Sequence, residues 1–117
     1  KEVFILEEFV TNNFIIVKDV STKIEIQTLH KGELNAISLC KELKIKNFLI
    51  DEKEGYEASE IFNLNPLRTT SILLILLHKK IINFNEFEKS LSDLSQSGYF
   101  LTAETYNLLI DAGKNLK

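Results

Sequence analysis

The chain has 117 residues, a length that suits one domain with one core. It is 44% hydrophobic and 26% charged, an ordinary globular composition, and its net charge of −3 comes without a Lys/Arg-rich block. That balance excludes nucleic-acid binding through bulk positive charge, though not through a local basic patch.

Residues 2–12, "EVFILEEFVTN", place Val3, Leu6, Phe9 and Val10 on one face at helical spacing, and Asn12-Asn13 breaks the pattern. "FIIV" (14–17) is β-branched and aromatic, the composition of a short buried strand. Asp19 to Thr22 read as a polar turn. A short helix is expected over 23–30, ending near Gly32. "GELNAISLCKELK" restarts a helix with Ala36, Ile37, Cys40 and Leu43 as its apolar stripe. "NFLI" (47–50) predicts a second buried strand, ended by Asp51. Residues 53–62 resume a helix with Ala58, Ile61 and Phe62 inward. "NLNP" (63–66) reads as a loop, because Pro66 disfavours helix at Asn65. Thr69 or Thr70 is expected to cap the next helix, "SILLILLHKK", which is apolar nearly all round and so central. "NEFE" (85–88) predicts a capping box with Asn85 as cap and Glu88 at the third helical position. Phe87, Leu91 and Leu94 follow at helical spacing, and Gly98 is the expected stop. Thr102 caps the last helix, with Tyr106, Leu109 and Ile110 inward and Gly113 at its end.

Strands without polar alternation suit a small parallel sheet covered by helices on both faces, an α/β class. Two strands alone make no stable covered sheet, so a third is expected, either before Lys1 or from another chain. The sequence has no Met, which fits a trimmed start or the later part of a longer protein. Cys40 is alone, so no internal disulfide forms, and it reads as a small core residue in a reducing, cytoplasmic compartment. The longest apolar run, Ile72–Leu77, falls far short of the roughly 20 residues that span a bilayer, and no signal peptide is visible.

Ligands of open α/β sheets bind outside the carboxyl ends of the strands. Asp51 stands at that position, and Glu52 follows it. Glu33, in the first turn of a helix, shares a side of the wheel with Ile37 and Cys40, so its carboxylate can point along the sheet edge. Carboxylates so placed suit a hard divalent ion, which can activate water at a phosphodiester. On spacing alone the plainer reading weighs more: a first-turn Glu favoured by the helix dipole, and "DEK" as a turn and helix cap.

"LHKGELNAISLCKEL", "NFLIDEKEGYEASEIFNL", "RTTSILLILLHKKII" and "SGYFLTAETYNLLIDAGK", in that order, resemble the PIN-domain-like proteins. The nearest branch is that of predicted nucleic-acid-binding proteins of archaea and bacteria, related to VapC-type toxins. The resemblance runs from about Phe14 to the C-terminus. It implies a three-layer α/β/α fold over 1–117, with the family's N-terminal strand missing from this sequence. It implies a Mg²⁺- or Mn²⁺-dependent endoribonuclease, in the setting of a toxin–antitoxin pair. Glu33 would be the helix acid and Asp51 the strand-end acid, both metal-holding, with Glu52 as the neighbouring catalytic acid. RNA, an antitoxin-like protein and a second copy of the chain are the partners it implies. Two departures from the family pattern stand out: Arg68 replaces a Gly before the Thr, and Tyr56 replaces a common basic residue. A non-catalytic module of the same fold, binding nucleic acid or protein, is the alternative.

The other polar residues carry less. His30 and His78 stand alone and read as ordinary histidines. Thr69, Thr70 and Ser71 could meet a phosphate at a helix N-terminus, or simply cap it. Lys44, Lys46 and Lys53 could line a nucleic-acid path near Asp51, or only solvate a surface. No Ser-His-Asp or Cys-His arrangement and no Gly-rich phosphate loop is present.

Overall fold

The computed structural model describes residues 2–21 and 29–116, with side chains from Phe4 onward within those ranges. Among these described residues, six helices and two strands follow in the order α1 (Glu2–Thr11), α2 (Lys31–Leu43), β1 (Asn47–Leu49), α3 (Lys53–Ile61), β2 (Asn65–Leu67), α4 (Thr69–His78), α5 (Phe84–Gln96) and α6 (Ala103–Asn115). This is a helix-rich α/β fold with a small parallel sheet. The helix expected over 23–30 lies largely outside the described residues. Leu29 and His30 are not helical, and Gly32 stands in the first turn of α2 rather than at a helix end. Among the described residues, no helix is long and apolar enough to cross a membrane.

β1 and β2 pair in parallel, with Asn47 opposite Asn65, Phe48 opposite Pro66 and Leu49 opposite Leu67. A strand therefore stands where "NLNP" suggested only loop. Asn65 donates to the Lys46 carbonyl at 2.7 Å, and Ile50 donates to the Leu67 carbonyl at 3.0 Å. Pro66, which has no N–H, falls between these two contacts on a strand that is an edge among the described residues. "FIIV", by contrast, is not a strand. It leaves α1 as coil, with Phe14 78% exposed and, among the described residues, no strand paired beside it. Phe14 and Ile15 instead donate to the Phe9 carbonyl and close the end of α1.

The interior forms two clusters. One joins α2, β1 and α3 through Leu29, Ile37, Phe48, Ala58 and Leu64. The other joins α4, α5 and α6 through Leu77, Phe87 and Leu91. Half-buried Cys40 packs against the first, and burial pushes its thiol pKa up, as for an inert core cysteine. Ile61 was expected to point inward but is 75% exposed, and Leu43 and Leu49 are exposed as well. Among the described residues the sheet has two short strands, too narrow to cover every apolar position of the helices beside it.

Local chemistry sets the helix ends. α2 stops where Lys44 turns left-handed (φ 56°), its N–H bonded to the Lys41 carbonyl and that of Ile45 to the Cys40 carbonyl, the pairing of a Schellman turn. The capping box of α5 is Asn83 with Glu86, two residues before the expected pair. That earlier start brings Phe84 into the helix, where its ring lies 6.1 Å from Phe87 against the second cluster. Gly98, at φ +100°, follows α5 as expected. Gly113 does not end α6. It is buried inside the helix, and a Cβ there would sit 2.7 Å from Cε2 of Phe87.

Candidate functional site

The carboxyl end of β1 delivers Asp51 to the start of α4. The first turn of a helix has N–H groups with no partner of its own, and its dipole favours an anion there. Arg68 holds the cap position but makes no side-chain cap bond. Asp51, from 17 residues earlier in the chain, fills that role: its Oδ1 accepts the Thr69 N–H at 3.0 Å and its Oδ2 accepts the Thr69 hydroxyl at 2.7 Å. The threonine cap expected from sequence is thus inverted, with Thr69 donating.

A third donor arrives from the far side. The Tyr99 hydroxyl, from the turn between α5 and α6, donates to Asp51 Oδ1 at 2.6 Å. Partial burial raises the Asp51 pKa, but the bonds from Tyr99 and Thr69, with the nearby charge of Arg68, outweigh it and hold the carboxyl below its ordinary value. The same contact acts on its partner. Burial, the bond to Asp51 and that negative charge push the Tyr99 pKa up to about 12, against smaller opposing effects of Thr70 and Arg68. Asp51 is therefore a fixed, ionised carboxylate with three of its roughly four acceptor positions occupied.

Arg68 completes the corner. Its Nη1 donates to the Asp51 carbonyl at 3.4 Å, and its guanidinium lies 4.5 Å from the centroid of the Tyr56 ring. The two departures from the family pattern are thus in contact with each other. Stacking on Tyr56 holds the cation at the mouth of the Asp51 hollow.

Glu33 is half-buried in the first turn of α2. Its Oε2 lies 3.2 Å from where a Cβ of Gly55 would be, and Cγ1 of Ile50 lies 2.8 Å from the same point. The bare Gly55 backbone lets the Glu33 carboxylate and the end of β1 come together. Glu52 is exposed at the start of α3 and lines a hollow with Asp51 and Lys53. Lys44 and Lys46 line a different hollow, with Cys40 and Phe62, at the amino end of β1. Of the three expected lysines, only Lys53 is beside Asp51. His30 and His78 are exposed. Tyr99 was not anticipated as a site residue, although "SGYF" held the signal of a tyrosine hydroxyl at the entry to the last helix.

A family model described as a PIN domain matches residues 1–114. The chain belongs to the PIN-domain family. No curated protein and no solved structure matches it. In this PIN domain, no three His, Cys, Asp or Glu side chains among the described residues form a ready metal cage. The donors at the β1 end are all oxygen, which suits a hard divalent ion. Mg²⁺ is commonly held by one or two carboxylates together with substrate phosphates rather than by an all-protein cage. Asp51 keeps one acceptor position to spare for such an ion, whereas Glu33 is placed against Gly55 and lines neither of the hollows that hold Asp51.

Proposed function

We propose that this PIN domain is a divalent-metal-dependent endoribonuclease. In this reading Glu33 and Asp51 hold Mg²⁺ or Mn²⁺ and Glu52 assists. The observation that carries it is the fixed, ionised Asp51 carboxylate at the strand end, with the Arg68 cation beside it. The bound ion would supply an activated water and offset charge on the phosphodiester. The protein's part is positioning. Thr69 and Tyr99 hold the carboxylate in one orientation and keep it ionised. Arg68 presents a planar donor to phosphate oxygens at the same mouth. A toxin role, checked by an antitoxin-like protein, is the cellular setting we assign to such an activity.

RNA cleavage with Mn²⁺, comparing the wild type with Asp51→Asn, tests the reading. The wild type is expected to cleave and the variant to lose cleavage by at least about a hundredfold, the scale of losing one preorganised charged group. Equal cleavage by both overturns it. One observation favours the second reading, a binding module without catalysis: three donors already occupy Asp51.

A further inference from the structure

Beside the Asp51 corner stands an aromatic residue that the fold does not use. Phe100, one residue beyond Tyr99, is 85% exposed, more than any other large apolar side chain described. It borders two adjoining hollows. One, of about 460 Å³, holds Asp51, Glu52 and Lys53. The other, of about 350 Å³, runs toward Thr102 and Thr105 at the start of α6. Arg68, Tyr99 and Phe100 belong to both. Phe100 thus lines the same two hollows as Arg68, whose guanidinium is fixed on the Tyr56 ring.

An unpaired base offers a π-face to such a ring, while its phosphate needs a positive group within a nucleotide's reach. Bases of a duplex are stacked on each other and cannot meet Phe100 in this way. We propose that Phe100 is a stacking platform for an unpaired base next to Asp51, with Arg68 and Lys53 holding the adjoining phosphate. What is assigned is the contact itself, the Phe100 ring against one base, which a duplex cannot make. The substrate class rests on the ribonuclease reading, but the stacking contact requires no metal and no cleavage.

The test is fluorescence anisotropy in EDTA, with a labelled single-stranded RNA oligonucleotide and its duplex. The proteins are the wild type, Phe100→Ala, Phe100→Tyr and Phe14→Ala. Phe14 is a second exposed aromatic, outside both hollows. Phe100→Ala is expected to weaken single-strand binding roughly tenfold or more, the scale of losing one base–aromatic stack. Phe100→Tyr keeps the ring and retains binding, Phe14→Ala binds like the wild type, and the duplex binds more weakly than the single strand. The proposal is overturned if Phe100→Ala binds as the wild type does, if Phe14→Ala loses as much, or if the duplex binds equally well. Asp51→Asn separates the two readings. Stacking with cleavage unaffected by Asp51→Asn removes only the ribonuclease assignment. Asp51-dependent cleavage with full binding by Phe100→Ala removes only the stacking platform.

Discussion

Tyr99→Phe removes one hydroxyl and leaves the ring in place. The lost bond is 2.6 Å long and ends on a carboxylate. Hydrogen bonds to charged groups contribute about 1.5–3 kcal/mol when shielded. Asp51 is exposed, so solvent screening lowers the expected loss to about 1 kcal/mol, or about 4 °C in Tm. The loss carries a pH signature. The folded pKa of Asp51 is depressed, so its stabilisation is present above the unfolded value of about 4 and is lost as pH falls through the folded one. The folded pKa of Tyr99 is raised to about 12, so its share is present below the unfolded value of about 10 and is lost as pH rises through the folded one. Urea unfolding of the wild type, Tyr99→Phe, Asp51→Ala and the double variant, at about pH 7 and about pH 2.5, measures the effect. The expected coupling is about 1 kcal/mol at neutral pH and smaller in acid. Additive losses, or the same loss at both pH values, would refute the contact as the cause.

Gly55→Ala inserts a methyl 2.8 Å from Ile50 Cγ1 and 3.2 Å from Glu33 Oε2. Crowding of about 1–3 kcal/mol outweighs the helix-propensity gain of up to about 1 kcal/mol, so thermal melting is expected to fall while RNA cleavage drops through displacement of Glu33. Gly32→Ala, with nothing within 4 Å, is the contrasting control and is expected to stabilise by about 0.5 kcal/mol. Asn83→Ala is expected to cost about 1 kcal/mol in urea unfolding by removing the cap of α5, whereas Asn85→Ala, one turn position inside the helix, should change stability by less than about 0.5 kcal/mol.

The sequence marked the strand-end acid well, because a short apolar run followed by acids is local information, and Asp51 does stand where β1 ends. It also marked each of the six described helices, through apolar periodicity or, for α4, through an apolar run, and Thr102 as a cap. The cap of α5 slipped by two residues because Asn83 and Asn85 both have a Glu three positions on. Only the packing of Phe84 decides between them. β2 was hidden by Pro66, whose missing N–H is harmless only where the strand's pairing turns out to spare it. "FIIV" and Ile61 failed differently: apolar composition states what a residue could bury, not whether a surface exists to bury it. "SGYF" showed a tyrosine hydroxyl but not its partner, because the bond from Tyr99 to Asp51 spans 48 residues and joins two turns with no shared pattern.

The proposed ribonuclease requires Asp51 and Glu33 to share a divalent ion at the carboxyl end of β1. Calorimetric titration with Mn²⁺ of the wild type, Glu33→Gln and Asp51→Asn tests it most directly. One ion per wild-type chain is expected, with at least about tenfold weaker binding in each variant, the loss of one charged ligand. No binding by the wild type, or binding unaffected by both substitutions, would contradict it and leave the acids as helix-capping and surface groups.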